Sequence, residues 1–366
     1  MSYDIDVRAF WQENERCMAP FTTDKPRMPL TFWLDDHFVL QEMALPSTVR
    51  YFTDLEYRLE INRACNERLE AALGKHFYPE KTIHRYKGDF EVAMGAGREI
   101  TEGNTPWIVP IEVDGINDVK RWIDWASRMD VRKAAIPDDW YEEKARFEAA
   151  SGAELHLAGF GNTGPATLAC NILGTTNVCL FIMDAPEVMR SFFEVLCDRY
   201  IEYYELVSTE NLGYVPREGF GINDDNCFLF SPRKYEALCA PFVRRLFSAF
   251  APAPHHWRRQ HSDSAMGHLM GILHDLGVNE VNLGPSIHPR EIREAMPNAV
   301  IHGQMPPFTL RNGSAQEIIE LVKRDIDCLG GDGGLVECPA GAVPIGTPLE
   351  NIRTYMWAVQ EYGRYE

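Results

Sequence analysis

No run in this 366-residue chain approaches the roughly 18–20 consecutive apolar residues that a membrane-spanning helix needs. The opening Met1-Ser2-Tyr3-Asp4-Ile5-Asp6 lacks the basic-then-apolar order of a secretory signal, so a cytoplasmic protein is expected. Basic excess is also missing. With 36 Lys and Arg against 54 Asp and Glu the formal net charge is -18, which repels nucleic acid and anionic membranes at long range. Neither is expected as a partner, whereas a cationic protein surface is compatible. Nine cysteines are scattered without C-x-x-C spacing, which speaks against a zinc knuckle and suits reduced core thiols better than disulfides. Gly95-Ala96-Gly97-Arg98 has no strand, Lys or following helix to make a phosphate loop. Low-complexity tracts are absent as well.

What remains is a globular composition, 45% hydrophobic and 25% charged, with 27 Gly and 23 Pro implying many turns. Its most informative stretch is Trp257-Arg258-Arg259-Gln260-His261-Ser262-Asp263-Ser264-Ala265-Met266-Gly267. A short strand-like run enters a polar turn, and apolar Met266, Leu269, Met270, Leu273 and Leu276 then carry helical spacing. Gly277 stops that helix, and Val278-Asn279-Glu280-Val281-Asn282-Leu283-Gly284 reads as the next strand. Strand, turn, helix and strand make the βαβ unit of a parallel sheet. A His and an Asp two apart on one turn can aim both side chains at a single ligand.

Elsewhere the same grammar repeats. Residues 1–28 are mixed and polar, an expected N-terminal arm. Pro29 to Leu34 is an apolar strand ending in Asp35 and Asp36, which either hold a cation or substrate or supply a helix N-cap with a solvated neighbour. Residues 47–73 have helical periodicity, 77–150 read as an inserted segment whose first part is irregular or antiparallel, and 118–129 resemble a surface helix. Glu154 to Gly159 reads as a strand leading through Phe160-Gly161-Asn162 to the Gly164-Pro165 turn and a helix. Residues 186–207 are an amphipathic helix with Pro186 in its first turn. Glu218 to Ile222 is a strand that runs on to Asp224 and Asp225.

Four groups of residues resemble the uroporphyrinogen decarboxylase superfamily, in order, over roughly residues 25–365. They are Gly164-Pro165 with Asp184-Ala185-Pro186-Glu187; Asp224-Asp225 with Ser231-Pro232 and Tyr235; His261-Ser262-Asp263 with Leu276-Gly277-Val278 and His302-Gly303-Gln304; and Gly333 to Pro339 with Thr347-Pro348 and Asn351-Ile352. The resemblance implies an α/β fold, a single (β/α)8 TIM-type barrel over 29–366, with the N-terminal arm and the insertion. In such a barrel the strand ends share one face. The expected acidic, His-bearing bowl then gathers Asp35, Asp36, Asn162, Asn282, Gln304 and Glu337 as substrate-binding residues around Asp224, Asp225, His261 and Asp263 as catalytic ones.

Two branches of that superfamily set the functional expectation. Porphyrinogen decarboxylases carry a basic turn after the first strand for substrate propionates; Leu34-Asp35-Asp36-His37-Phe38 stands here instead, and like charge opposes such substrates. Corrinoid-dependent methyltransferases hold zinc through His-x-Cys and a later Cys. His261 matches the His, Asp263 stands in place of the first Cys, and the second falls near Gly341, three residues after Cys338. The metal set this leaves is His261 and Asp263 with Cys338 or Glu337 as third ligand, a harder set than thiolates. The alternative is a metal-free site in which His261 and Asp263 bond each other and the substrate. His288 and His302 read as structural or solvent-facing. The resemblance implies methyl transfer from a small methylated or methoxylated compound to a corrinoid carried by a partner protein, in a chain that forms a homodimer. Competing readings are a decarboxylase or lyase acting on a small non-porphyrin acid, and a catalytically silent ligand-binding barrel.

Overall fold

The computed structural model describes residues 3–85, 89–157 and 162–365. Among the described residues nine strands follow in chain order: β1 Thr82–His84, β2 Gly97–Glu99, β3 Trp107–Val109, β4 Glu154–His156, β5 Gly219–Asn223, β6 Trp257–Ser262, β7 Glu280–Leu283, β8 Val300–His302 and β9 Leu335–Val336. The chain divides into two compact units, one of residues 1–46, 60–79 and 259–366, the other of 47–59 and 80–258.

In the first unit β6, β7, β8 and β9 pair in that order and in parallel, with Arg259 opposite Glu280, His261 opposite Asn282, Val281 opposite Ile301 and His302 opposite Val336. Parallel neighbours require crossovers, and helices Met270–Asp275, Pro289–Ala295 and Ala315–Leu329 supply them. Val281, Leu283, Ile301 and Leu335 are buried, as strands covered on both faces must be. The Ser314 hydroxyl and Glu317 carboxylate close a capping box on the third crossover helix, which packs on Leu349–Tyr362. The expected first strand is present as parallel bridges from Leu30 to Glu337 and Leu34 to Val343. The polar N-terminal segment packs into this unit: Asp6 caps helix Val7–Glu15, and fully buried Arg27 bonds Glu13, Asn14 and the Phe10 carbonyl.

In the second unit β1 and β4 pair in parallel, His84 opposite His156, and Thr163 bridges in parallel to Asn223 at the end of β5. β2 and β3 form an antiparallel pair. Proline opens helices Pro165–Leu173, Pro186–Leu212 and Pro232–Phe250, where its missing N–H costs nothing. Pro186–Leu212 packs against Pro232–Phe250 and Ile116–Ala126.

The α/β class and the parallel pairing agree with the sequence reading; among the described residues no pairing closes these sheets into a barrel. The expected helix over 47–73 is split at Asp54, whose backbone is extended and whose carboxylate accepts the Tyr57 N–H to start a second helix. Within 77–115 the antiparallel pieces are present, but β1, three residues long, belongs to a parallel pair and is too short to show a period. After Asp263 a turn of 3₁₀ helix, Gly267–Leu269, precedes Met270–Asp275, yet all five expected apolar residues are buried. The expected strand end at Ala158-Gly159 and the turn residues Phe160-Gly161 lie outside the described residues. All nine cysteines are thiols. No single described helix is long and apolar enough to cross a membrane.

Candidate functional site

Side chains alternate along a strand, so Arg259 and His261 of β6 share a face, and their partners Glu280 and Asn282 on β7 stand beside them. The upper row carries the chemistry. His261 Nδ1 lies 2.7 Å from Asn282 Oδ1, and its Nε2 lies 3.4 Å from Asp263 Oδ1. Asn282 donates from Nδ2 to the carbonyls of His302 at 2.5 Å and Pro339 at 3.0 Å, with the Cys338 sulfur at 3.9 Å. Trp33, 40% exposed, meets the His261 ring edge-on at 5.7 Å between centroids.

Two glycines leave room for Asp263. A Cβ at Gly284 would lie 2.3 Å from the Asp263 carbonyl oxygen, and one at Gly341 would lie 2.7 Å from Oδ1 of its carboxylate. Position 341, where the resemblance puts a cysteine ligand, is therefore at the site, and the Asp263 carboxylate occupies the space its side chain would enter.

The lower row is an ionic base. Arg259 bonds Glu280 at 2.7 and 3.0 Å, and His302 Nε2 lies 3.3 Å from the same guanidinium and 3.5 Å from Glu280. Burial pushes the Glu280 carboxyl up, but bonds from His302 and Arg259 outweigh it and hold the group below its usual range. Burial lowers His302, while its bond to Glu280 works the other way. The structural reading of His302 thus stands, with two partners it was not given from sequence; His288 caps helix Pro289–Ala295 through the Arg290 N–H.

The donor set suits one small hard or borderline cation. Two ligand atoms about 2.0–2.1 Å from a tetrahedral zinc stand roughly 3.3 Å apart. His261 Nε2 and Asp263 Oδ1 are 3.4 Å apart, with Asn282 holding the other ring nitrogen as partners of metal-bound His commonly do. Among the described residues the Cys338 sulfur does not join these two atoms in one ligand cluster. It is fully buried, and burial pushes its thiol up to about 12.

Gln304 and Glu337, expected to bind substrate, are committed elsewhere. Both are buried. Gln304 Nε2 donates to the carbonyls of Gly284 at 2.8 Å and Ile287 at 3.2 Å, pinning the turn after β7, and its N–H donates to Asp325 at 2.9 Å. Glu337 accepts from the Tyr355 hydroxyl at 3.1 Å; burial first, and then Asp325, raises it well above the usual carboxylate range. Asp325 is in turn held by the Arg324 guanidinium at 2.6 and 2.9 Å. Asn282 orients His261 through one side-chain oxygen and spends both amide hydrogens on backbone carbonyls. Asp35 caps helix Asp36–Glu42 through the Phe38 N–H, with Asp36 in its first turn, which is the helix-cap alternative for that pair.

The second unit holds Asp224, Asp225 and Asn162. Asp224 is fully buried and accepts the Thr167 N–H at 2.8 Å at the start of helix Pro165–Leu173. A Cβ at Gly164 would lie 2.4 Å from the Asp224 Cβ, so glycine permits this approach. Burial pushes the Asp224 carboxyl up to about 7 despite the donors from Thr167 and Ala166. Asp225 opens the 3₁₀ turn Asp225–Leu229. Asn162 has φ 47° and accepts the Asn223 N–H through its carbonyl at 2.8 Å.

Sequence reasoning missed Trp33, Gly341 as a contact of Asp263, and the Arg259–Glu280–His302 base. The last was legible: Arg259 and Glu280 each precede a site residue by two, the strand period. Trp33 and Gly341 reach the site from pairings distant in sequence and left no local sign.

No curated protein matches the sequence. Among solved structures, a methyltransferase from Methanosarcina mazei aligns with TM-score 0.61 and 14% identity over 98% of this chain and 99% of that one. At that identity the likeness is one of fold. A B12-independent methionine synthase from Shewanella sp. W3-18-1, solved with selenomethionine, aligns with TM-score 0.42 and 9% identity over 82% of this chain and 85% of that one. Residues 91–362 match the uroporphyrinogen decarboxylase (URO-D) family, and with that span covered the chain belongs to this family.

Proposed function

We propose that this chain is a methyltransferase of a corrinoid-linked system, moving a methyl group from a small methylated or methoxylated compound to a cobalamin-carrying partner protein. In this reading residues 29–366 are one TIM-type barrel with 77–150 inserted, and the protein works as a cytoplasmic homodimer. The observation that carries the reading is His261 Nε2 facing Asp263 Oδ1 at 3.4 Å, with Asn282 on the far ring nitrogen. Family membership and the methyltransferase likeness in fold support it.

His261 and Asp263 are the proposed zinc ligands. Cys338 is not grouped with these two ligand atoms among the described residues and is not a proposed ligand. Held by His261 and Asp263, zinc would supply Lewis acidity toward the oxygen of a methyl ether. Without the metal, protonated His261 gives its Nε2 proton to that oxygen, and Asp263 steadies the charged ring. Trp33 supplies an apolar wall for the methyl-bearing part of the substrate. Asp225 is the proposed substrate anchor, while buried Asp224 sets the helix start beside it.

The test is formation of methylcobalamin from cob(I)alamin and a panel of methoxylated aromatics and methylamines, followed by absorbance. The wild-type chain is expected to methylate the corrinoid with at least one donor, and His261→Ala to lose turnover while keeping its melting temperature. Unchanged activity in His261→Ala removes that residue from the mechanism. Carbon dioxide release from a small acid, with no corrinoid requirement, replaces the methyltransferase with a lyase.

A further inference from the structure

A neutral imidazole carries one ring proton, and which nitrogen holds it decides which nitrogen can work. Around His261 the choice is made by the side chain beside it on β7, Asn282. The Asn282 amide nitrogen faces two backbone carbonyl oxygens, of His302 at 2.5 Å and Pro339 at 3.0 Å. Turning the amide over would set its oxygen against both carbonyls, so the orientation is fixed by the backbone of β8 and of the segment after β9. Asn282 Oδ1 is then an obligatory acceptor, and the only way His261 Nδ1 satisfies it at 2.7 Å is as N–H. The remaining nitrogen, Nε2, keeps its lone pair and points at Asp263 Oδ1, 3.4 Å away. Two electron-rich atoms at that separation repel unless a proton or cation lies between them.

We propose that Asn282 is a positioning residue that locks neutral His261 as the Nδ1–H tautomer and so keeps the Nε2 lone pair presented to Asp263. Left to itself, the ring would place its proton on Nε2 and donate it to the Asp263 carboxylate, closing the pair to any incoming cation. Asn282 holds the pair open. Its position on β7 makes this possible: it sits opposite His261 in the parallel register and is almost fully buried, so no water competes for its oxygen. The proposal rests on the reading of His261 and Asp263 as the working pair, but the tautomer is observable without turnover.

The experiment is ¹⁵N–¹H correlation of the histidine rings in the full-length chain, as purified and after EDTA, at a pH where His261 is neutral, with His261→Ala for assignment. The wild type is expected to show His261 protonated at Nδ1 and bare at Nε2. Asn282→Ala is expected to move the proton to Nε2. Zinc affinity, measured by competition with a chelator, is expected to fall about 10–100-fold in Asn282→Ala. An Nε2-protonated ring in the wild type overturns the proposal, and this needs no variant to fold. An unchanged tautomer in Asn282→Ala overturns it as well. A confirmed tautomer with no methyl transfer would sink the functional reading alone.

Discussion

At the scale of single residues, Asp224 shows how a carboxylate that looks catalytic in sequence can be a cap. Its partners, Thr167 and the backbone at Ala166, lie almost sixty positions earlier, and no local pattern joins them to Asp224. The cap also has a pH signature. The folded-state pKa, pushed up to about 7 by burial, exceeds the unfolded value near 4. The fold therefore favours the neutral acid: its contribution is fully present below the unfolded pKa and is lost as pH rises toward 7. Asp224→Asn cannot ionise. Its stability relative to the wild type is expected to improve by about 4 kcal/mol between pH 4 and pH 8, read from urea unfolding at both pH values. A pH-independent difference would mean that Asp224 is already ionised throughout. Gly341 makes the complementary point, since the absence of a side chain there admits the Asp263 carboxylate.

At the scale of elements, what was legible followed from period and punctuation. The βαβ run from Trp257 to Gly284 could be read because Gly277, at φ 80°, ends a helix whose apolar face recurs at 3.6 residues. Proline at positions 165, 186 and 232 marked three further helix starts. β1 was not legible, because three residues carry no period. Nor could sequence tell that Gln304 faces inward to the turn after β7 rather than outward to a ligand, since that depends on where Gly284 and Ile287 aim their carbonyls. Removing this clamp takes the side-chain donor from the buried Ile287 carbonyl and leaves the Gly284 carbonyl only the Ile287 N–H. Gln304→Ala is expected to lower stability by about 2–3 kcal/mol, with the urea midpoint falling and the slope unchanged. A loss under 0.5 kcal/mol would show that the turn holds without it.

For the whole molecule, the α/β class and the family were legible in the sequence, and the structure adds which of the expected polar residues meet and which are built into the packing. His261 and Asp263 come together, Asn282 serves them, and Gln304 and Glu337 are absorbed into the packing that supports their strands. The division between working and supporting residues was not readable, because every one of them ends a strand or follows one. A net charge of -18 fits a site that draws in a cation and a partner with a basic face. The Lewis-acid form of the account depends on the His261–Asp263 pair holding a metal ion. Elemental analysis of the purified full-length chain beside His261→Ala is the direct measurement. The account predicts about one zinc ion per chain in the wild type and none in the variant, with both proteins folded. Equal metal in the two, or none in either after refolding with zinc, would contradict it.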